Sequence, residues 1–110
     1  MASVQEVAEI FVKMAGERFI PAKAEGIDAV IQFNLSGDNG GQWWLKISNG
    51  SCESGVGQSE NPRMTLKAAA DDWFAVSTGK MNAMQAFMSG KIKIEGDMGM
   101  AMKLQTMFAQ

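Results

Sequence analysis

The reactive side chains available here are carboxylates, lysines and one thiol, and their spacing assembles no catalytic set. There is no histidine. That removes histidine acid–base catalysis, serine–histidine and cysteine–histidine nucleophiles, and nearly every common zinc site together. Cys52, the single cysteine, has no basic neighbour in sequence to stabilise a thiolate and no partner for an internal disulfide, which fits a reducing compartment. Asp71-Asp72 and the pair Glu95 and Asp97 stand where helices are expected to begin, so the helix dipole accounts for them without acid–base work. Ser77-Thr78-Gly79-Lys80 echoes the end of a phosphate-binding loop. It fails the pattern, because Phe74 stands at the first glycine position and Met81 replaces the magnesium-holding hydroxyl. No cofactor is expected. With no basic tract and no interleaving of basic and aromatic residues, no nucleic-acid partner is expected either.

What the chain has in excess is adaptable apolar surface. Of its 110 residues 46% are hydrophobic and ten are methionine. Met81, Met84, Met88, Met98, Met100, Met102 and Met107 all lie beyond residue 80. Methionine is unbranched and polarisable, so such a cluster suits either an ordinary core or a deformable apolar cavity, and composition alone leaves both open. The length allows one domain, residues 1–110, with a net charge of −2. No run approaches the ~18 apolar residues of a membrane span. The opening Met1-Ala2-Ser3-Val4-Gln5-Glu6 has neither the basic nor the apolar region of a secretion signal.

The elements that must position this surface are legible. Residues 3–18 read as an amphipathic helix: Ser3 and Glu6 fit a capping box, and Val4, Val7, Ala8, Phe11, Met14 and Ala15 share a stripe. Phe19-Ile20-Pro21 ends it, since the residue before proline resists the helical region. Residues 29–35 alternate, with Ala29, Ile31, Phe33 and Leu35 on one face. After the turn at 36–41, residues 42–48 form a second strand with Trp43, Leu45 and Ile47 inward and Trp44 outward, where it could contribute to self-association. Asn49-Gly50 is a hairpin signal, and the polar, glycine-rich residues 51–57 read as an edge strand, a poor one for pairing, so a monomer is expected. Residues 63–67 give a fourth strand after Asn61-Pro62. Helices follow from Asp71-Asp72 to Gly79 and from Asn82 to Gly90, then a fifth strand over 91–95, then a helix capped by Asp97 and running through Phe108. The expected fold class is α+β: a single five-stranded mixed sheet covered on one face by about four helices.

Thr78-Gly79-Lys80-Met81-Asn82, the stretch from Ala86-Phe87-Met88-Ser89-Gly90 through Lys91-Ile92-Lys93-Ile94-Glu95-Gly96-Asp97-Met98-Gly99, and Ala101-Met102-Lys103-Leu104 together resemble the sterol carrier protein type 2 family. Trp43-Trp44 followed by Asn49-Gly50 agrees with the family's second strand and hairpin, and the order of elements agrees over essentially the whole chain. The resemblance implies an apolar tunnel between sheet and helices that takes a fatty acid, fatty acyl-CoA, sterol or phospholipid, in a soluble carrier or in a lipid-holding module at the end of a larger β-oxidation enzyme. It carries over no catalytic residues, and it makes the closing helix part of the tunnel wall. Eukaryotic members often end in a peroxisomal S-K-L-type tripeptide; this chain ends Phe108-Ala109-Gln110, so a cytoplasmic location is expected, or a peroxisomal one without that signal if the source is eukaryotic.

A tunnel of this kind requires apolar walls on both sides, because an unpaired polar atom facing an alkyl chain stays unsatisfied. The sheet offers Ile31, Phe33, Trp43, Leu45, Ile92 and Ile94 as lining; the helices offer Phe11, Met14, Trp73, Met84, Phe87, Met98, Met102 and Phe108. Each of these positions could equally be plain core. Lys80, Lys91, Lys93 and Lys103 outnumber Glu95 and Asp97 in residues 79–110, which suits transient contact with a membrane surface or an acidic head group. Solvated lysines on an exposed strand and helix are the simpler account. The sequence thus points to a non-enzymatic lipid carrier. An accessory module that presents a hydrophobic substrate to a partner enzyme is the alternative, and a thioesterase lacks any nucleophile–base pair.

Overall fold

A computed structural model describes residues 2–108. Met1, Ala109 and Gln110, and with the last two most of the terminal tripeptide read above, lie outside the described residues. Helix α1 (Val4–Lys13) opens on the expected capping box: the Glu6 amide donates to Ser3 Oγ at 3.1 Å and the Ser3 amide donates to Glu6 Oε1 at 3.0 Å. These bonds favour the ionised Glu6 carboxyl and hold its pKa below the usual value. The chain then widens into one π-helical stretch, Met14–Arg18, so the expected helix exists with a change of pitch at its end. Phe19 and Ile20 are extended before a short 3-10 turn, Pro21–Lys23.

The five strands are β1 (Ala29–Ser36), β2 (Gly41–Ser48), β3 (Ser51–Val56), β4 (Met64–Ala69) and β5 (Ile92–Gly96), in spatial order β3-β2-β1-β4-β5. β1 and β4 run parallel and the other pairs antiparallel, which makes the sheet mixed. Asn49 and Gly50 have φ of 52° and 74°, the two positive values that a tight hairpin matching strand twist demands. β3 lies at the edge, as its polar sequence implies.

Register decides which side chains meet. Ile31 lies between Leu45 and Met64, and Phe33 between Trp43 and Leu66, all on the face that the helices cover. Those helices are α1, α2 (Ala70–Ser77), α3 (Ala83–Met88) and α4 (Met98–Met107). Asn82 Oδ1 caps α3 by accepting from Gln85 N at 3.1 Å, and Asp97 Oδ1 caps α4 by accepting from Met100 N at 3.0 Å. Asn39 Nδ2 donates both to the Ala2 carbonyl and to Asp71 Oδ1, tying the start of the chain to the first turn of α2.

Three local features differ from expectation. Gln32 alternates outward yet is fully buried, because the loop after β3 crosses it: its amide donates to Asn34 Oδ1 and the Gly57 carbonyl and accepts from Ser59 N and Oγ. Trp44 is half-buried, its indole lying over Gly55, where a Cβ would run into the ring. Phe108 lies beyond α4 instead of within it. The Ile20 amide donates to the Met107 carbonyl at 2.8 Å, and Phe108 pairs antiparallel with Phe19, so the backbone leaves the helix to meet the segment that follows α1.

Candidate functional site

The helices cover the two halves of the sheet differently. α1 lies against β2 and β3, whereas α3 packs on β5 and α4 on β4 and β5. Under α1 the space is full. The Phe11 ring stacks on Trp43 at 5.0 Å with a 14° tilt and meets Phe33 at 5.0 Å, and Phe33 in turn meets Trp73 at 5.3 Å. Over β4 and β5 a cavity of about 300 Å³ remains.

Leu66, Ile92 and Ile94 form the floor of this cavity on the sheet. α2 contributes Trp73, Val76 and Ser77; Ala83, Met84 and Phe87 of α3 and Met98, Ala101, Met102 and Leu104 of α4 form facing walls. Met14, Arg18 and Phe108 complete it. Of the candidate residues, Met14, Trp73, Met84, Phe87, Ile92, Ile94, Met98, Met102 and Phe108 therefore meet around one space. Phe11, Ile31, Phe33, Trp43 and Leu45 do not line it: they are buried in the packed half, where α1 sits close enough for aromatic rings to interlock.

The rim is unusual for a soluble surface. Met84, Phe87 and Met98 are exposed by between 39% and 48%, Met102 by 73%, and neighbouring Met88 by 79%. The α3 residues Met84, Phe87 and Met88 share one helical face, as do Met98 and Met102 on α4. Together they make a run of exposed large apolar side chains beside the cavity.

Arg18 is the one charged residue among the lining side chains, and sequence reasoning passed over it. Its signal was present. The buried stripe Val7, Phe11, Met14 continues by helical spacing to position 18, where an arginine occupies the place of the next apolar residue. Arg18 Nη1 donates to the Ser77 carbonyl at 3.0 Å, near the C-terminal end of α2. Trp73 Nε1, one turn earlier on the same helix, is among the described residues the buried side-chain polar atom without a hydrogen-bond partner. Cys52 stands apart from the cavity; burial, with Glu53 beside it, pushes its thiol up to about 12, which keeps it protonated and unreactive at neutral pH. No helix among the described residues is long and apolar enough to cross a membrane.

An apolar cavity between a mixed sheet and its covering helices, with an exposed apolar mouth, defines an α+β domain built to enclose a small hydrophobic molecule. The SCP-2 sterol transfer family matches residues 14–109, and the chain belongs to that family. It is 42% identical over 82 residues to the hydroxysteroid dehydrogenase-like protein 2 of Xenopus tropicalis, a match that takes in 74% of this chain and 20% of the relative. The chain thus spans about a fifth of the length of that relative. Among solved structures, the palmitated SCP2L2 of Aedes aegypti is 27% identical, superposes with a TM-score of 0.70, and matches 94% of this chain and 91% of its own. The sec-alkylsulfatase Pisa1 of Pseudomonas sp. shares the fold at 21% identity and a TM-score of 0.77, over 91% of this chain and 16% of its own.

Proposed function

We propose that this domain is a non-enzymatic lipid carrier that encloses the long alkyl chain of one lipid in the cavity over β4 and β5. The carrying observation is the cavity itself: about 300 Å³, walled almost wholly by apolar side chains, with exposed methionines of α3 and α4 among them. Each methylene withdrawn from water contributes roughly 0.8 kcal/mol in gross terms, so an acyl chain binds there without a directional contact. The same uniformity limits selectivity, since one methylene more or less changes affinity by only ~1–3 kcal/mol. Methionine walls on α3 and α4 add tolerance of chain shape. The palmitated state of the Aedes aegypti relative supports an acyl chain as occupant.

Loading and release require the mouth to meet a lipid surface. Its exposed methionines and Phe87 suit insertion at the headgroup boundary. Residues 79–110 carry four lysines against two carboxylates, net +2 in a chain of net −2, which favours an anionic membrane. A second reading, that the domain presents a hydrophobic substrate within or beside a larger enzyme, draws support from relatives in which the matching region is about a fifth of the chain.

Native mass spectrometry of the purified protein, followed by titration with a fluorescent long-chain fatty acid read by energy transfer from tryptophan, tests the carrier. A one-to-one lipid adduct or saturable transfer is expected, together with a higher melting temperature on loading. Absence of all three would remove the proposal. Stable co-purification with one enzyme would favour the second reading.

A further inference from the structure

We propose that Met84, Met98 and Met102 are sites of reversible sulfoxidation by hydrogen peroxide, open in the empty domain and shielded by a bound lipid, which makes lipid uptake sensitive to oxidant. The proposal rests on the carrier reading and adds a means of controlling it. Four methionines line the cavity: Met14, Met84, Met98 and Met102. Met14 is buried, whereas Met84 and Met98 are each 48% exposed and Met102 is 73% exposed. These three thioethers therefore face both the space for the ligand and the solvent that brings the oxidant. Met64, Met100 and Met107 are shielded by packing. Cys52 does not compete for the peroxide, because burial first and Glu53 second push its thiol up to about 12, and a protonated thiol is a poor nucleophile.

An apolar wall does not by itself require sulfur at these positions, since leucine fills a similar volume without a reactive atom. The thioether sulfur attacks one oxygen of the peroxide. The O–O bond breaks, an S–O bond forms, and the released hydroxide takes the proton of the new S–OH group and leaves as water. Sulfur loses two electrons and the peroxide gains them. Sulfoxide reductases reverse the change at the expense of two thiols, with one enzyme for each epimer. The sulfoxide oxygen loses its water when an alkyl chain covers it, and apart from Arg18 and Ser77 the lining side chains are apolar, so oxidation lowers affinity for the chain. A bound chain lies against the same three sulfurs and slows their oxidation. Oxidant thus withdraws the empty domain from loading and spares the loaded one. Met88, 79% exposed but outside the lining, supplies an internal reference.

The test treats delipidated and palmitate-loaded wild-type protein with hydrogen peroxide and maps the sulfoxides by peptide mass spectrometry. Met84, Met98 and Met102 should oxidise several times more slowly in the loaded protein, while Met88 oxidises equally in both. After removal of the peroxide, calorimetry should show palmitate bound about tenfold more weakly by the oxidised protein, with recovery after treatment with both reductases. In the triple variant Met84→Leu, Met98→Leu, Met102→Leu the affinity should be the same before and after peroxide, whatever its starting value. Met88→Leu should keep the wild-type response. Absence of sulfoxide at the three positions, no protection by palmitate relative to Met88, or unchanged affinity with all three sulfoxides formed overturns the switch and leaves the carrier intact. A loss of affinity that persists in the triple leucine variant overturns it too, since the damage then lies elsewhere. If the untreated protein does not bind palmitate, the carrier falls and the switch with it.

Discussion

One inner face of the sheet ends in two different interiors. Over β2 and β1, Phe11 of α1 drops between Trp43 and Phe33, and the rings exclude any ligand. Over β4 and β5, the six-residue α3 and the methionine-bearing α4 leave a cavity. The strands supply similar alternating apolar residues in both halves. The difference comes from what the covering helices carry: α1 sets the Phe11 ring against the sheet and fills its groove, whereas the short α3 and the flexible thioethers of α4 span theirs without filling it.

That contrast can be broken from the packed side first. Phe11→Ala should cost about 3–5 kcal/mol of unfolding free energy, because it leaves a hole beneath a helix whose neighbours cannot collapse. Denaturant titration would measure it, while lipid affinity of the folded fraction should change little. A loss of affinity as large as the loss of stability would mean that the two halves are one cooperative unit.

Filling the open side should do the reverse. Ala101→Trp places a large ring into the cavity from α4 and should weaken fatty-acid binding by about tenfold or more, equivalent to ~1.4 kcal/mol, with stability unchanged or raised. Unchanged binding would relocate the ligand to another surface.

The smallest effect sharpens the role of α1. Ser3→Ala removes the cap and should cost about 1 kcal/mol, felt in the packed half alone. Glu6 adds an acid sensitivity of its own. The folded protein holds the Glu6 pKa below its ordinary 4.5, chiefly through the bond from the Ser3 amide, so this contribution is present above the unfolded value and is lost as pH falls through the folded one. Melting curves between pH 6 and about pH 3 should therefore converge for wild type and Glu6→Gln at the acid end.

Much of the fold was legible because it rests on local rules. The Ser3–Glu6 box, the Asn49-Gly50 hairpin, the polar edge strand and the Asn82 and Asp97 caps each depend on a few neighbouring residues, and each is found where its sequence implies. Gln32 lies beyond such rules, since only the distant Ser59 and Gly57 account for its burial on the face opposite Ile31 and Phe33. Phe108 did mislead, because its partner Phe19 lies at the other end of the chain.

The site divides along the same line. The sequence by itself determined that the inner face would be apolar and that the last third of the chain would be rich in methionine, because these follow from residue type and period. Only the tertiary structure decided which apolar residues became wall and which became core. Nine of the candidates line the cavity and five are buried away from it, since that outcome depends on which side chains each covering helix brings to the sheet. Arg18 shows both halves of the lesson. Its place in the stripe is written in the sequence, but its isolation inside an apolar cavity exists only once α2, α4 and the sheet close around it.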